Sequence, residues 1–88
     1  MAVIRASALE RLDLGMDIET KVLHLANALE TRRKSLGLSQ VELAGLAGVS
    51  ARFMYDLENG KKSVSLEKVL AVATVLGFEI EFKVAQNG

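Results

Sequence analysis

Apolar residues at Ile18, Val22, Leu25, Leu29 and Leu36 recur at intervals of three, four and seven. That is the period of a helix that buries one face. Asp17 stands before the run as its N-cap, and Gly37 follows at the position where helices commonly end. After Leu38 comes Ser39, with Glu42 three residues on, a capping box that opens a second, short helix over residues 40–47. Val41, Leu43, Ala44 and Leu46 are its apolar positions, and Gly48 closes it. Ser50 caps a third helix over residues 51–58, which Asn59-Gly60 stops. A polar loop, Lys61-Lys62-Ser63-Val64, leads to Ser65, the cap of a fourth helix over residues 66–76. Leu66, Val69, Leu70, Ala73 and Leu76 are expected to face inward there, and Gly77 ends the helix.

The period then changes. Phe78-Glu79-Ile80-Glu81-Phe82-Lys83-Val84 alternates apolar and charged residues, as a half-buried strand does. The organisation expected is an ill-defined N-terminal extension (1–17), a helical domain (18–77), a terminal strand (78–84) and a frayed tail (85–88). Within the extension, residues 2–4 suit a short strand and residues 6–12 a short helix. A lone strand leaves its backbone groups unpaired, and its apolar face, Phe78, Ile80, Phe82 and Val84, needs a cover. The simplest partner is the same strand of a second subunit, antiparallel about a two-fold axis. Pairing within the chain with Ala2-Val3-Ile4 is the rival, and the two arrangements also combine into one larger sheet.

Length and composition narrow the class. With 88 residues the chain makes one small domain of modest core, for which oligomerisation is a common remedy. There is no cysteine and a single histidine, His24. Disulfides, cysteine metal sites and a histidine cluster within one chain are therefore excluded, and no cofactor or metal is expected. No apolar run approaches the roughly 20 residues of a membrane span. Arg5 is soon followed by Glu10 and Asp13, which does not read as a signal peptide, so a cytoplasmic location without membrane contact is expected. Net charge is zero, yet it is unevenly placed. The middle third carries Arg32, Arg33, Lys34, Arg52, Lys61 and Lys62 against Glu42, Asp56 and Glu58. A local basic patch counts for more in phosphate binding than the total does. Taken alone, Arg32-Arg33-Lys34 reads first as a solvated helix end that suits the dipole.

Residues 40–59 carry the most specific signal. Two short helices are joined by a tight turn at Gly48-Val49-Ser50. Ala44 is small where the helices cross, Gly48 tolerates left-handed backbone, and Met54 and Leu57 supply the apolar lock. This is a helix-turn-helix, whose second helix enters the major groove of DNA. Leu38-Ser39-Gln40-Val41-Glu42-Leu43-Ala44, then Ala47-Gly48-Val49-Ser50, then Asp56-Leu57-Glu58-Asn59-Gly60 resembles the Cro/C1-type (XRE) family of DNA-binding domains over about residues 23–76. Leu25-Ala26-Asn27-Ala28-Leu29, Arg52-Phe53 and the strand after Gly77 are similar to its HipB-type antitoxins. The resemblance implies a mainly α, lambda-repressor-like domain of four to five helices, with a C-terminal strand pairing across a homodimer. It also implies a repressor of its own operon that binds a HipA-type toxin kinase. Lys62 departs from the proline of many relatives, which loosens the loop without changing the fold.

Base edges are expected to meet Ala51, Arg52, Tyr55 and Asp56. Arg52 would take guanine bidentately, Ala51 a thymine methyl, and Asp56 a cytosine amine or water. Phosphates would be met by Gln40 and Ser50 at helix N-termini, by the amides near Asn59-Gly60, and by Arg32, Lys34, Lys61 and Lys62. Phe53 is read as packing on the preceding helix. The resemblance to phage repressors implies a structural ion pair between Arg33 and Glu58. His24 is assigned no role. The sequence leaves three functions open: a repressor that is also the antitoxin of a toxin–antitoxin operon on a palindromic operator, a free-standing regulator, or an interaction module that has lost DNA binding. No nucleophile–base pair or phosphate-cradling glycine loop is present, so no enzyme is expected.

Overall fold

The computed structural model describes residues 2–6 and 17–84. The element order is β1 (Ala2–Ala6), α1 (Ile18–Ser35), α2 (Gln40–Ala47), α3 (Ala51–Glu58), α4 (Leu66–Val75) and β2 (Phe78–Phe82). Ala6, the first residue of the helix suggested over 6–12, belongs to β1, and the rest of that segment and the tail at 85–88 lie outside the described residues.

Every helix starts on a side-chain cap that satisfies an otherwise orphaned N–H. Asp17 Oδ1 accepts from the Thr20 N–H at 2.7 Å, and Ser65 Oγ accepts from the Lys68 N–H at 3.3 Å. Ser39 Oγ accepts from the Glu42 N–H at 3.0 Å while Glu42 Oε1 accepts from the Ser39 N–H at 2.9 Å, which completes the capping box.

The core is drawn from all four helices. Leu29, Leu43, Ala44, Met54, Leu57, Val69, Val72, Ala73 and Leu76 form one buried cluster. Leu29, Leu43, Met54, Val72 and Leu76 are wholly buried. Each large member stabilises the fold by about 1.5–3 kcal/mol through the apolar area it removes from water. Phe78 and Ile80 of β2 pack on the edge of this cluster, as do Phe53 and Leu25.

Several expected core positions prove exposed. Ile18 and Leu36 lie beyond the stretch of α1 that the core reaches, and the face that does reach it carries Ala26, Leu29 and Arg33. Leu66 and Leu70 on α4, expected inward, also face solvent, as do the apolar Val41 and Leu46 of α2, while Val72 is the buried residue of α4 that the sequence reading left out. At the end of the chain, Phe82 and Val84 are exposed, so the alternating face contributes only Phe78 and Ile80 to the core.

Of the two pairings open to the terminal strand, this single chain contains the internal one. β1 and β2 lie parallel, from Ala2 opposite Phe78 to Ala6 opposite Phe82, two residues longer than the short strand read at 2–4. A parallel pair needs a long crossover connection, and the four helices between the strands supply it.

Candidate nucleic-acid interface

α3 is set by its turn. Gly48 has φ of 72°, a left-handed conformation that costs a residue with a Cβ about 1–2 kcal/mol. The Val49 N–H returns to the Ala44 carbonyl at 3.0 Å, and Ser50 Oγ then accepts from the Phe53 N–H at 3.0 Å. From that start the helical period sorts the side chains. Met54 and Leu57 are buried against the other helices, while Ala51, Arg52 and Tyr55 are exposed on the opposite face. Phe53 is half-buried, and its ring packs on the core with the Lys68 ammonium of α4 over it, 5.8 Å from the centroid.

The exposed face carries a cluster of its own. Arg52 Nε lies 3.1 Å from Asp56 Oδ1 and donates to Oδ2 at 3.3 Å. The guanidinium carbon sits 5.6 Å from the Tyr55 ring centroid. Lys61 Nζ approaches Asp56 Oδ2 at 3.7 Å. The carboxylate expected to meet a cytosine amine or water is thus flanked by two cations, and its side chain is only 18% exposed, against 79% for Arg52.

Behind this face stands a buried network. Arg33 donates from Nε to Glu58 Oε2 at 2.7 Å, from Nη2 to Oε1 at 3.0 Å, and from Nη1 to the Leu38 carbonyl at 2.7 Å. Gln40 Nε2 adds a bond to Glu58 Oε1 at 2.9 Å. One carboxylate thereby ties together the end of α1, the start of α2 and the end of α3. Burial pushes the Glu58 carboxyl up, but the hydrogen bonds from Arg33 and Gln40 outweigh it and hold the group below the usual glutamate value. The same bond to Glu58 raises the Arg33 guanidinium above its ordinary value. Glu42 is also held low, mainly by the Ser39 N–H.

The phosphate candidates divide. Ser50 is exposed at the start of α3, and Lys34, Lys61 and Lys62 are exposed in pairs with Glu30 at 3.7 Å, Asp56 at 3.7 Å and Glu19 at 3.4 Å. Such surface pairs are worth about 0–1 kcal/mol. The Gln40 side-chain amide is turned inward to Glu58, so what α2 presents outward is its N-terminal backbone.

Two of the phosphate candidates already have partners within the fold. Arg32 donates from Nε to the Leu76 carbonyl at 2.9 Å, which commits it to the C-terminal end of α4, where a cation offsets the dipole. The amides at Asn59 and Gly60 donate back to Tyr55 and Leu57 carbonyls at 3.0 and 3.1 Å, and the Asn59 side chain donates to the Tyr55 carbonyl at 2.7 Å. They close α3 rather than offer donors to an anion. The sequence reading also missed the Arg52–Asp56 pair, although its spacing of four on a helix was visible. Among the described residues no group of three His, Cys, Asp or Glu side chains is placed to hold a metal. No helix there is long and apolar enough to cross a membrane.

Two short helices locked at a glycine turn, with the second open on its outer side, define a helix-turn-helix. Residues 24–81 match the family model described as a helix-turn-helix domain, and the chain belongs to that family. It is 51% identical over 49 residues to an uncharacterised HTH-type transcriptional regulator, y4mF, of Sinorhizobium fredii. That stretch takes in 56% of this chain and 64% of the regulator, so the chain spans just under two thirds of its length. The fold is also similar to the crystal structure of the restriction-modification controller protein C.AhdI from Aeromonas hydrophila. That match has a TM-score of 0.61 and 34% identity, and covers 67% of this chain and 89% of the controller.

Proposed function

We propose that the chain is a sequence-specific DNA-binding transcriptional repressor that acts as a dimer on a palindromic operator. The observation that carries the reading is the polarity of α3, buried through Met54 and Leu57 and open through Ala51, Arg52 and Tyr55. That is the disposition of a helix read into a major groove. The description of y4mF as a transcriptional regulator supports the same reading. Ser50, Lys34, Lys61 and Lys62 would meet phosphates on either side. For the dimer, β2 keeps one edge away from β1, and a second copy's β2 added there antiparallel would give a four-stranded sheet that covers Phe82. The two recognition helices would then stand about one DNA turn apart, ~34 Å.

The finer reading is that the repressor is the antitoxin of a HipBA-like operon and binds a HipA-type toxin kinase. A free-standing regulator is the second reading. It is favoured by the likeness to C.AhdI, a controller protein of a restriction-modification system.

An electrophoretic shift with the chain's own upstream promoter tests the core claim. Binding should weaken steeply with salt, because phosphate contacts release counterions. No shift on that DNA at low salt, from a folded protein, would leave an interaction module that does not bind its promoter. Sedimentation of the free chain tests the dimer, and co-purification of a kinase from the native operon separates antitoxin from free-standing regulator.

A further inference from the structure

We propose that Asp56 is a positioning residue for Arg52, holding the guanidinium by its Nε edge so that only the Nη1–Nη2 end is offered to a guanine in the operator. The inference rests on the DNA-binding reading and says how one base pair of the site is chosen.

A carboxylate on a helix that faces phosphates is repelled by them, so its presence calls for a cause. Stability of α3 does not supply one. Arg52 stands in the first turn and Asp56 four residues later, the order that runs against the helix dipole and gives the weaker of the two spaced ion pairs. The geometry supplies another cause. Both Asp56 oxygens lie within 3.3 Å of Arg52 Nε. Lys61 adds a longer contact to the same carboxylate, Nζ to Oδ2 at 3.7 Å, and its N–H donates to the Asp56 backbone carbonyl at 3.0 Å. The Tyr55 ring lies by the guanidinium, its centroid 5.6 Å from Cζ, and limits its swing.

An arginine can grip guanine O6 and N7 through Nε with Nη2, or through Nη1 with Nη2. With Nε engaged, the second grip is the one left. The side chain then enters the groove already ordered, and less rotamer freedom is lost on contact. Asp56 is accordingly not a reader of cytosine.

Selection from a random duplex library, run with the wild type, Arg52→Ala, Asp56→Ala, Asp56→Asn and the double Arg52→Ala/Asp56→Ala, tests this. The wild type should enrich a guanine at one position of each half-site by about 10- to 100-fold, and Arg52→Ala should lose it. Asp56→Ala should drop the preference at that same position to about threefold or less, with affinity for non-specific duplex unchanged or higher because a negative charge is gone. Asp56→Asn, which keeps an acceptor, should fall between, and the double variant should match Arg52→Ala. The melting temperature should move little, because Arg52 is largely exposed and a single helical pair of this spacing contributes only a few tenths of a kcal/mol. The inference is overturned if Asp56→Ala leaves that preference intact, or if it alters a base pair that Arg52→Ala does not. A wild type that enriches no sequence at all overturns the DNA-binding reading itself, and this with it.

Discussion

Arg33 and Glu58 meet as a two-pronged ion pair, at 2.7 and 3.0 Å, with 10% of one side chain and 1% of the other exposed to solvent. The pair joins the last turn of α1 to the last residue of α3. Each partner also serves a third group: Arg33 the Leu38 carbonyl, Glu58 the Gln40 amide. Removing either side leaves a buried charge uncompensated, at a cost of about 3–5 kcal/mol. Glu58→Ala and Arg33→Ala should therefore lower the melting temperature by well over 10 °C, at roughly 4–8 °C per kcal/mol for a domain of this size. Replacing both with apolar residues should not restore it, because Leu38 and Gln40 stay unmatched. Thermal melts of the two single variants and the double decide the matter.

Acid should weaken the fold through the same carboxylate. Glu58 is held below its usual value in the folded chain, so its contribution is fully present above the ordinary glutamate range, near pH 4.3, and fades as pH falls through the lowered folded value. Glu42 and Asp17, held low by their capping N–H groups, add to the loss in the same direction. Melting temperature should stay level from pH 7 to about pH 5 and fall steeply below about pH 4. Glu58→Gln should flatten part of that fall. A wild-type profile flat down to pH 3 would contradict the assignment.

Arg32 and Lys34 are two residues apart and should behave oppositely. Arg32→Ala removes the donor to the Leu76 carbonyl and should cost about 0.5–1.5 kcal/mol of stability or somewhat more, without changing how DNA affinity varies with salt. Lys34→Ala should leave stability within about 0.5 kcal/mol and reduce the salt slope by about 1 if that lysine meets a phosphate. Salt titrations of binding beside denaturant melts separate the two.

Gly60 offers a backbone test. Its φ is 78°, and an added Cβ would fall 2.5 Å from Leu23 Cδ2. Gly48 shares the left-handed backbone but has open space where a Cβ would go. Gly48→Ala should cost about 1–2 kcal/mol from conformation alone, and Gly60→Ala more. Shortening the neighbour, in Gly60→Ala/Leu23→Ala, should recover the excess. Equal losses at the two glycines would deny the contact its role.

Local chemistry was legible in the chain wherever a short-range rule governs it. Ser39 with Glu42, Ser50, Gly48 and the pair Met54 and Leu57 fixed the two helices and their turn, because caps and left-handed glycines act within four residues. Periodicity gave the inward faces but not their reach. Ile18, Leu36 and Leu66 share the spacing of core residues and lie where no neighbouring element covers them. Arg33 occupies a core position of α1, which only its resemblance-implied partner could rationalise. The roles of Arg32, at the end of α4, and Gln40, at Glu58, depend on elements far away in sequence. The register of β1 against β2 was closed to inspection for the same reason.

The side-by-side placement of β1 and β2 makes this sheet the most remote junction in the chain, with Ala2 set against Phe78. Such a contact repays its loop-closure entropy only after the intervening helices have drawn the two strands near. During synthesis, the first strand therefore has to wait, unpaired, until the four helices and β2 have emerged. In hydrogen exchange its amides should open first, well before those of α3, and a protein in which they outlast the helical amides would hold this sheet more firmly than the helical core.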